Sequence, residues 1–159
     1  MKKSALILCF FILLSCNNFS KKTCNLCKNI TFFELKNKIK FFCTFVAILK
    51  NDACSVCQKY NFQLDNYLKN NEITIYSLDS TNLDLNDYDV HNLINEIKDK
   101  TGVNDNAILP STLFYLDGVL VNVEIGVLSE KDLTNNIEFL FSLWLKYVII
   151  FMFYKGEIQ

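Results

Sequence analysis

The stretch NDACSVCQKY (residues 51–60) places two cysteines, Cys54 and Cys57, three positions apart. Just before it, FFCTFVAIL (41–49) is a continuous apolar run of β-forming residues, which is typical of a strand covered on both faces. After the cysteines, apolar residues recur at helical spacing as far as residue 68. The sequence therefore predicts that the cysteine pair lies where a buried strand passes into a helix.

Several other segments carry signals of regular structure. In chain order they are a helix at 32–40, a strand at 72–79, a helix with the apolar face Val90, Leu93, Ile94 and Ile97, two strands around Asp117-Gly118, and a last helix after Ser129. Thr31 with Glu34, and Ser129 with Asp132, form capping boxes that start the first and last helices. A crossover helix makes the first two strands parallel, whereas the tight turn makes the last two antiparallel. We therefore expect an α/β fold with a central mixed sheet flanked by helices.

The composition limits the class of protein. The chain has 159 residues, which suits one domain with a real core, and its hydrophobic content of 51% excludes a disordered protein. The formal net charge is −1, and acidic and basic residues are interspersed. Because no broad basic field exists, we expect no nucleic-acid partner.

The N-terminus has the features of an export signal. MKKSALILCFFILLSC (1–16) starts with two lysines, continues through an apolar stretch too short to span a bilayer, and ends in small Ser15 before Cys16. The ending LLSC resembles the lipobox of bacterial lipoproteins, which implies that Cys16 becomes the lipidated first residue. We therefore expect a signal peptide at 1–15, a polar tether at 16–30, and a protein exported and membrane-anchored on the extracytoplasmic face of a bacterial cell. The alternative is an ordinary cleaved signal, or a simple apolar N-terminus, with Cys16 incidental.

Export changes the interpretation of the cysteines, because disulfides persist outside the cytoplasm. The mature chain would keep Cys24, Cys27, Cys43, Cys54 and Cys57. Cys43 lies within an apolar run and is expected to be a core residue. The first pair, Cys24 and Cys27, is interpreted as a tether disulfide, an incidental pair, or a resolving partner of the second pair.

A second motif completes a resemblance to a known fold. LPSTLFYLDG (109–118) contains the single proline of the chain, Pro110, and Gly118 follows eight residues later. With the CxxC at a strand-to-helix junction, this order resembles the thioredoxin family, in which the proline is cis. The resemblance covers about residues 31–145 and is similar in particular to small exported thioredoxin-like proteins of the bacteriocin transport accessory type, in which TGV also precedes the proline. It implies a thioredoxin-like domain, which we place at 31–159, although the apolar C-terminal helix of this chain departs from the amphipathic closing helix of the family.

The resemblance implies a thiol–disulfide oxidoreductase that acts on protein thiols and disulfides without a cofactor or metal. Cys54, at a helix N-terminus where thiolate is favoured, would attack, and the more buried Cys57 would release the mixed disulfide. Leu109 and Pro110 would line the substrate groove. Ile48 stands where thioredoxins keep a buried Asp that assists proton transfer, so that assistance is absent or comes from elsewhere.

Charges beside the pair leave its redox direction open. Asp52 would oppose ionisation of Cys54, whereas Lys50 and Lys59 would offset Asp52. Neither residue between the two cysteines is the usual thioredoxin residue, so the reduction potential cannot be inferred from the sequence.

Two alternatives to the redox interpretation remain. In the first, the chain would keep the fold but act as a non-enzymatic accessory or binding lipoprotein. In the second, the thiolates of Cys24, Cys27, Cys54 and Cys57 would hold a tetrahedral zinc ion. The 26 residues between the two pairs exceed the usual spacing of zinc ribbons.

The C-terminal stretch FLFSLWLKYVIIFMFY (139–154) has only Ser142 and Lys146 as polar breaks. A helix this apolar requires cover on several sides, from the sheet or from lipid. Sixteen residues span about 24 Å, less than a hydrocarbon core of about 30 Å, which argues against a spanning segment. We expect the residues beyond Lys146 to lie against the membrane; the alternative is a helix half-covered by the sheet.

Overall fold

The computed structural model describes residues 27–103 and 108–156, so the predicted signal peptide at 1–15, Cys16 and Cys24 lie outside the described residues. The elements are β1 (Lys28–Asn29), α1 (Phe32–Lys40), β2 (Phe45–Lys50), α2 (Ser55–Asn70), β3 (Ile75–Asp79), a 3₁₀ turn (Ser80–Asn82), α3 (Tyr88–Thr101), β4 (Ser111–Leu116), β5 (Val119–Ile125) and α4 (Glu130–Gly156).

The five strands form one mixed sheet in the order β1-β3-β2-β4-β5. β1, β3 and β2 are parallel, and β4 is antiparallel to both β2 and β5. β2 lies at the centre, and its first five residues are buried, as the continuous apolar run predicted. The mixed α/β sheet flanked by helices is therefore confirmed.

Alternate residues of β2 contact two separate cores. Ala47 and Leu49 pack in the core beneath α1 and α3, whereas Val46 and Ile48 pack in the core beneath α2 and α4. This two-sided burial fixes the register of β2, because a slip of one residue would exchange the two faces. It also holds α2, which begins at the cysteine pair, against the centre of the sheet.

The folded part begins earlier than the predicted boundary at residue 31. Lys28 and Asn29, inside the predicted polar tether 16–30, pair with Tyr76 and Ser77 of β3. Ile30 is buried, and its N–H donates to the Ser77 carbonyl at 2.9 Å. Two polar residues on an edge strand carry no alternation of hydrophobicity, so β1 could not be predicted from the sequence.

β2 begins later than the predicted strand at 41–49. Phe41 is the C-cap residue of α1, and Phe42 has a φ of 52°, so the chain turns there. Cys43 consequently lies in the turn, half-buried against the core, and not within a strand. Its carbonyl accepts the N–H of Gly118 at 2.9 Å, which ties this turn to the β4–β5 hairpin. Phe41 and Phe42 have a high β propensity, but the chain turns at these residues to leave α1, so they do not join the strand.

The predicted caps at the start of α1 and α4 are confirmed. The N–H of Glu34 donates to the Thr31 hydroxyl at 3.2 Å, and the N–H of Asp132 donates to the Ser129 hydroxyl at 3.1 Å. Gly102 ends α3 with a φ of 68°, a conformation that glycine adopts readily.

Candidate active site

The loop between β2 and α2 is fixed by hydrogen bonds from Asn51. The Asn51 carbonyl accepts the N–H of Cys54 at 3.0 Å, and the Asn51 side chain accepts the N–H of Ala53 at 2.8 Å. These bonds turn the chain so that Cys54 becomes the N-cap residue of α2, with φ −84° and ψ 118°. Cys54 therefore stands at the helix N-terminus predicted from the sequence.

The Cys54 sulfur accepts hydrogen bonds from its own helix. The N–H of Cys57 lies 3.2 Å from Cys54 Sγ. The pKa of the Cys54 thiol is lowered, first by a hydrogen bond from the Cys57 thiol and then by the N–H groups of Cys57 and Val56. Because each of these groups stabilises negative charge on sulfur, the site favours a thiolate at Cys54.

Cys57 has the opposite tendency. Its side chain is fully buried on the inner side of α2. Burial, and then the hydrogen bond to Cys54, raises the pKa of the Cys57 thiol to about 11. The pair therefore combines one thiol that ionises readily with a second that holds its proton.

Of the two lysines predicted to offset Asp52, Lys50 forms an ion pair with it. The Lys50 ammonium, whose side chain is only 13% exposed, lies 3.0 Å from a carboxylate oxygen of the exposed Asp52. This ion pair offsets the negative charge of Asp52 next to the nucleophile position.

Pro110 lies at the same edge of the sheet as the cysteine loop. Leu109–Pro110 is a cis peptide, and the Pro110 carbonyl accepts the N–H of Gly126 at 2.8 Å. Ser111, the first residue of β4, is paired with Leu49 near the end of β2. Since β4 starts where β2 ends, the topology brings the predicted substrate-groove residues Leu109 and Pro110 beside the loop that carries Cys54.

A buried pair of hydroxyl groups joins α2, three residues after Cys57, to β4, and it was not predicted from the sequence. The Tyr60 hydroxyl lies 2.8 Å from the Thr112 hydroxyl. Thr112 is in register with Ile48, the apolar residue at the position of the expected carboxylate. Burial raises the pKa of Tyr60 to about 12. The available signal was the pair of polar residues Ser111 and Thr112, directly after the proline, at the start of a strand that is otherwise apolar.

The described part of the first cysteine pair is Cys27, whose thiol interacts electrostatically with Lys50 and Tyr60. Cys27 packs among the residues beneath α2 and α4, and burial raises the pKa of its thiol to about 12. Among residues 27–103 and 108–156, no three Cys, His, Asp or Glu side chains form a group that could hold a metal ion. The described cysteines therefore do not assemble the alternative zinc site, of which Cys24 lies outside these ranges.

Comparison with known proteins identifies the fold. No protein-family model and no curated protein matches the sequence. Three solved structures that match are a mutant thioredoxin from Halobacterium salinarum NRC-1 (16% identity, TM-score 0.51), thioredoxin from Trypanosoma brucei brucei (15%, 0.51) and chloroplastic thioredoxin z (11%, 0.52). The alignments cover 75%, 74% and 74% of this chain and 94%, 96% and 96% of those chains, respectively. The chain therefore has the thioredoxin fold, with Cys54 and Cys57 at the start of its second helix.

Proposed function

We propose that the protein is a thiol–disulfide oxidoreductase that acts through Cys54 and Cys57 on disulfides and thiols of other proteins. The observation that supports this proposal best is the 3.2 Å hydrogen bond from the Cys57 N–H to Cys54 Sγ, with the Cys57 thiol buried behind it. The site therefore holds two neighbouring thiols whose pKa values are shifted in opposite directions, so that Cys54 is the thiol prepared for the first attack.

In the reductive direction, the Cys54 thiolate attacks one sulfur of a substrate disulfide. That S–S bond breaks, one substrate thiolate leaves, and a mixed disulfide forms on Cys54. The Cys57 thiol then passes its proton to solvent and, as the thiolate, attacks Cys54 Sγ, which releases the second substrate thiolate. Two electrons pass from the pair to the substrate, and the new Cys54–Cys57 disulfide needs an external dithiol to return to its reduced form. The reverse sequence would oxidise a substrate dithiol.

Serine substitutions test the two steps separately. With a model protein disulfide and dithiothreitol as reductant, Cys54→Ser should abolish exchange above the uncatalysed rate. In a separate reaction of the reduced protein with the substrate and no dithiothreitol, Cys57→Ser should still form the mixed disulfide but fail to release it, so that a covalent adduct accumulates and is visible by mass spectrometry. Cys43→Ser, which changes a half-buried thiol outside the pair, is the matched control and should retain activity. Full activity of the Cys54→Ser protein would exclude the proposed chemistry.

We also propose that the protein is exported and anchored through lipid on Cys16. The support is the order of two lysines, an apolar stretch and LLSC in residues 1–16. Radiolabelled fatty acid should enter the wild-type protein, and Cys16→Ala should remove the label and release the protein from the membrane fraction. Unchanged labelling of Cys16→Ala would refute this assignment.

The second candidate is a non-enzymatic accessory lipoprotein of the bacteriocin transport type. It is favoured by the TGV sequence (101–103) before the proline loop and by Ile48, which leaves the site without the expected buried carboxylate. The two functions differ in one result: an accessory function survives Cys54→Ser in cells, whereas an oxidoreductase function does not.

A further inference from the structure

The outward face of α4 changes character along its length. In the first turns its exposed residues are polar, among them Lys131, Asn135 and Glu138. Further along, large apolar side chains are exposed: Phe139 is 58% exposed, Phe141 41%, Leu145 53% and Ile149 49%. Because Phe141, Leu145 and Ile149 are spaced four residues apart, they lie on one side of the helix and form a continuous surface. We call these three residues the outer stripe.

The outer stripe is distinct from the side of α4 that packs on the sheet. Leu133, Ile137 and Leu140 are buried in the core beneath α2 and α4, and Leu143 and Trp144 pack partly against it. The helix therefore has one apolar side that packs on the sheet. In its later turns it has a second apolar side, which faces outward. Intramolecular packing accounts for the first side and leaves the second uncovered.

We propose that the outer stripe docks on the surface of an anionic lipid bilayer, with α4 lying in the interface. The charges of this segment support lipid as the occupant. Residues 139–156 contain two lysines, Lys146 and Lys155, and no acidic residue, although the whole chain has a net charge of −1. The Lys146 side chain is exposed beside the stripe. Anionic headgroups would therefore meet positive charge while the stripe enters the headgroup and acyl boundary.

A bilayer needs no complementary shape to cover a convex row of side chains. No helix in the described residues is long and apolar enough to cross a membrane, so the proposed contact is with the surface.

The docking surface can be tested with a chain that starts at residue 16 and carries Cys16→Ser, because this protein lacks the predicted signal peptide and the predicted lipid. The measurement is its binding to vesicles. This protein should sediment with vesicles of phosphatidylglycerol and phosphatidylcholine, and more weakly with phosphatidylcholine alone. The double variant Leu145→Glu/Ile149→Glu should bind about tenfold or more weakly, since it places two charges in the stripe. Phe62→Glu, at a residue of α2 that is 70% exposed, is the matched control and should bind as the parent does.

Two further readouts decide between the possible outcomes. Exchange activity of Cys54 should be the same in the double variant and the control, which shows that both are folded and separates this proposal from the redox function. Equal vesicle binding by the double variant would overturn the proposal. So would sedimentation equilibrium showing that the stripe mediates self-association while vesicle binding is absent.

Discussion

The N–H of Cys57 donates a hydrogen bond across 3.2 Å to Sγ of Cys54, so the first turn of α2 stabilises charge on the thiol that begins it. The Cys57 thiol makes the largest contribution to the lowered pKa of Cys54. Replacing it by Cys57→Ala should therefore move the pKa of Cys54 upward, toward the usual cysteine value, while the backbone N–H groups still act.

The rate of alkylation of Cys54 against pH, followed by mass spectrometry, measures this shift. In the wild type, Cys54 should react first and at lower pH than an ordinary cysteine, because the thiolate is the reacting species. The pH midpoint of Cys54 alkylation should rise in Cys57→Ala and should not change in Cys43→Ala. A midpoint unchanged by Cys57→Ala would show that the neighbouring thiol does not tune Cys54.

The Tyr60–Thr112 hydrogen bond should contribute measurably to stability. Thr112→Val keeps the shape of the side chain but leaves the buried Tyr60 hydroxyl without this partner, which should lower the free energy of unfolding by about 1–3 kcal/mol. Adding Tyr60→Phe to Thr112→Val should recover part of the loss, because the unpaired hydroxyl is then gone. Urea denaturation of the two single variants and the double variant gives the coupling energy. Strictly additive losses would show that the two hydroxyls do not interact.

The features that were predicted correctly have local signals in the chain. The two cysteines follow a continuous apolar strand, and the lone proline stands before a hairpin with an Asp117-Gly118 turn, so short segments predicted the strand-to-helix junction and the β4–β5 pairing. The features that were missed depend on partners distant in sequence. β1 has two polar residues that acquire strand geometry only by pairing with β3. Tyr60 and Thr112 are 52 positions apart, and the sequence around each residue does not indicate that it contacts the other.

Gly118 should tolerate no side chain. Its φ is 76°, and a Cβ atom there would lie 2.3 Å from the Ile39 carbonyl oxygen of α1. Gly118→Ala combines an unfavourable backbone conformation with a backbone clash, and should lower the free energy of unfolding by about 2–4 kcal/mol. Gly102→Ala is the matched control, because Gly102 has a similar φ of 68° with nothing within 4 Å of the added Cβ. It should cost about 1 kcal/mol. Equal losses in urea denaturation would contradict the proposed contact with α1.

Stability should fall at alkaline pH because buried acids keep their protons only in the folded state. Burial raises the pKa of Cys27 from 9.0 to about 12 and that of Tyr60 from 10.0 to about 12. Each contribution is fully present below the unfolded pKa and is lost as pH rises toward the folded pKa, since the unfolded chain releases the proton first. The free energy of unfolding should therefore decrease between pH 9 and about 12, by up to about 1.4 kcal/mol per pH unit for each group.

Cys27→Ala tests the thiol part of this alkaline slope. The variant should be somewhat less stable than the wild type at pH 8, because it loses a packed side chain, but it should lose less stability between pH 9 and 11. Urea denaturation in a non-thiol reductant at several pH values gives both quantities. Phe62→Ala, which removes an exposed and non-titrating side chain, should follow the wild-type slope. If Cys27→Ala and wild type lose stability in parallel above pH 9, the Cys27 thiol is not held protonated by burial in the folded chain.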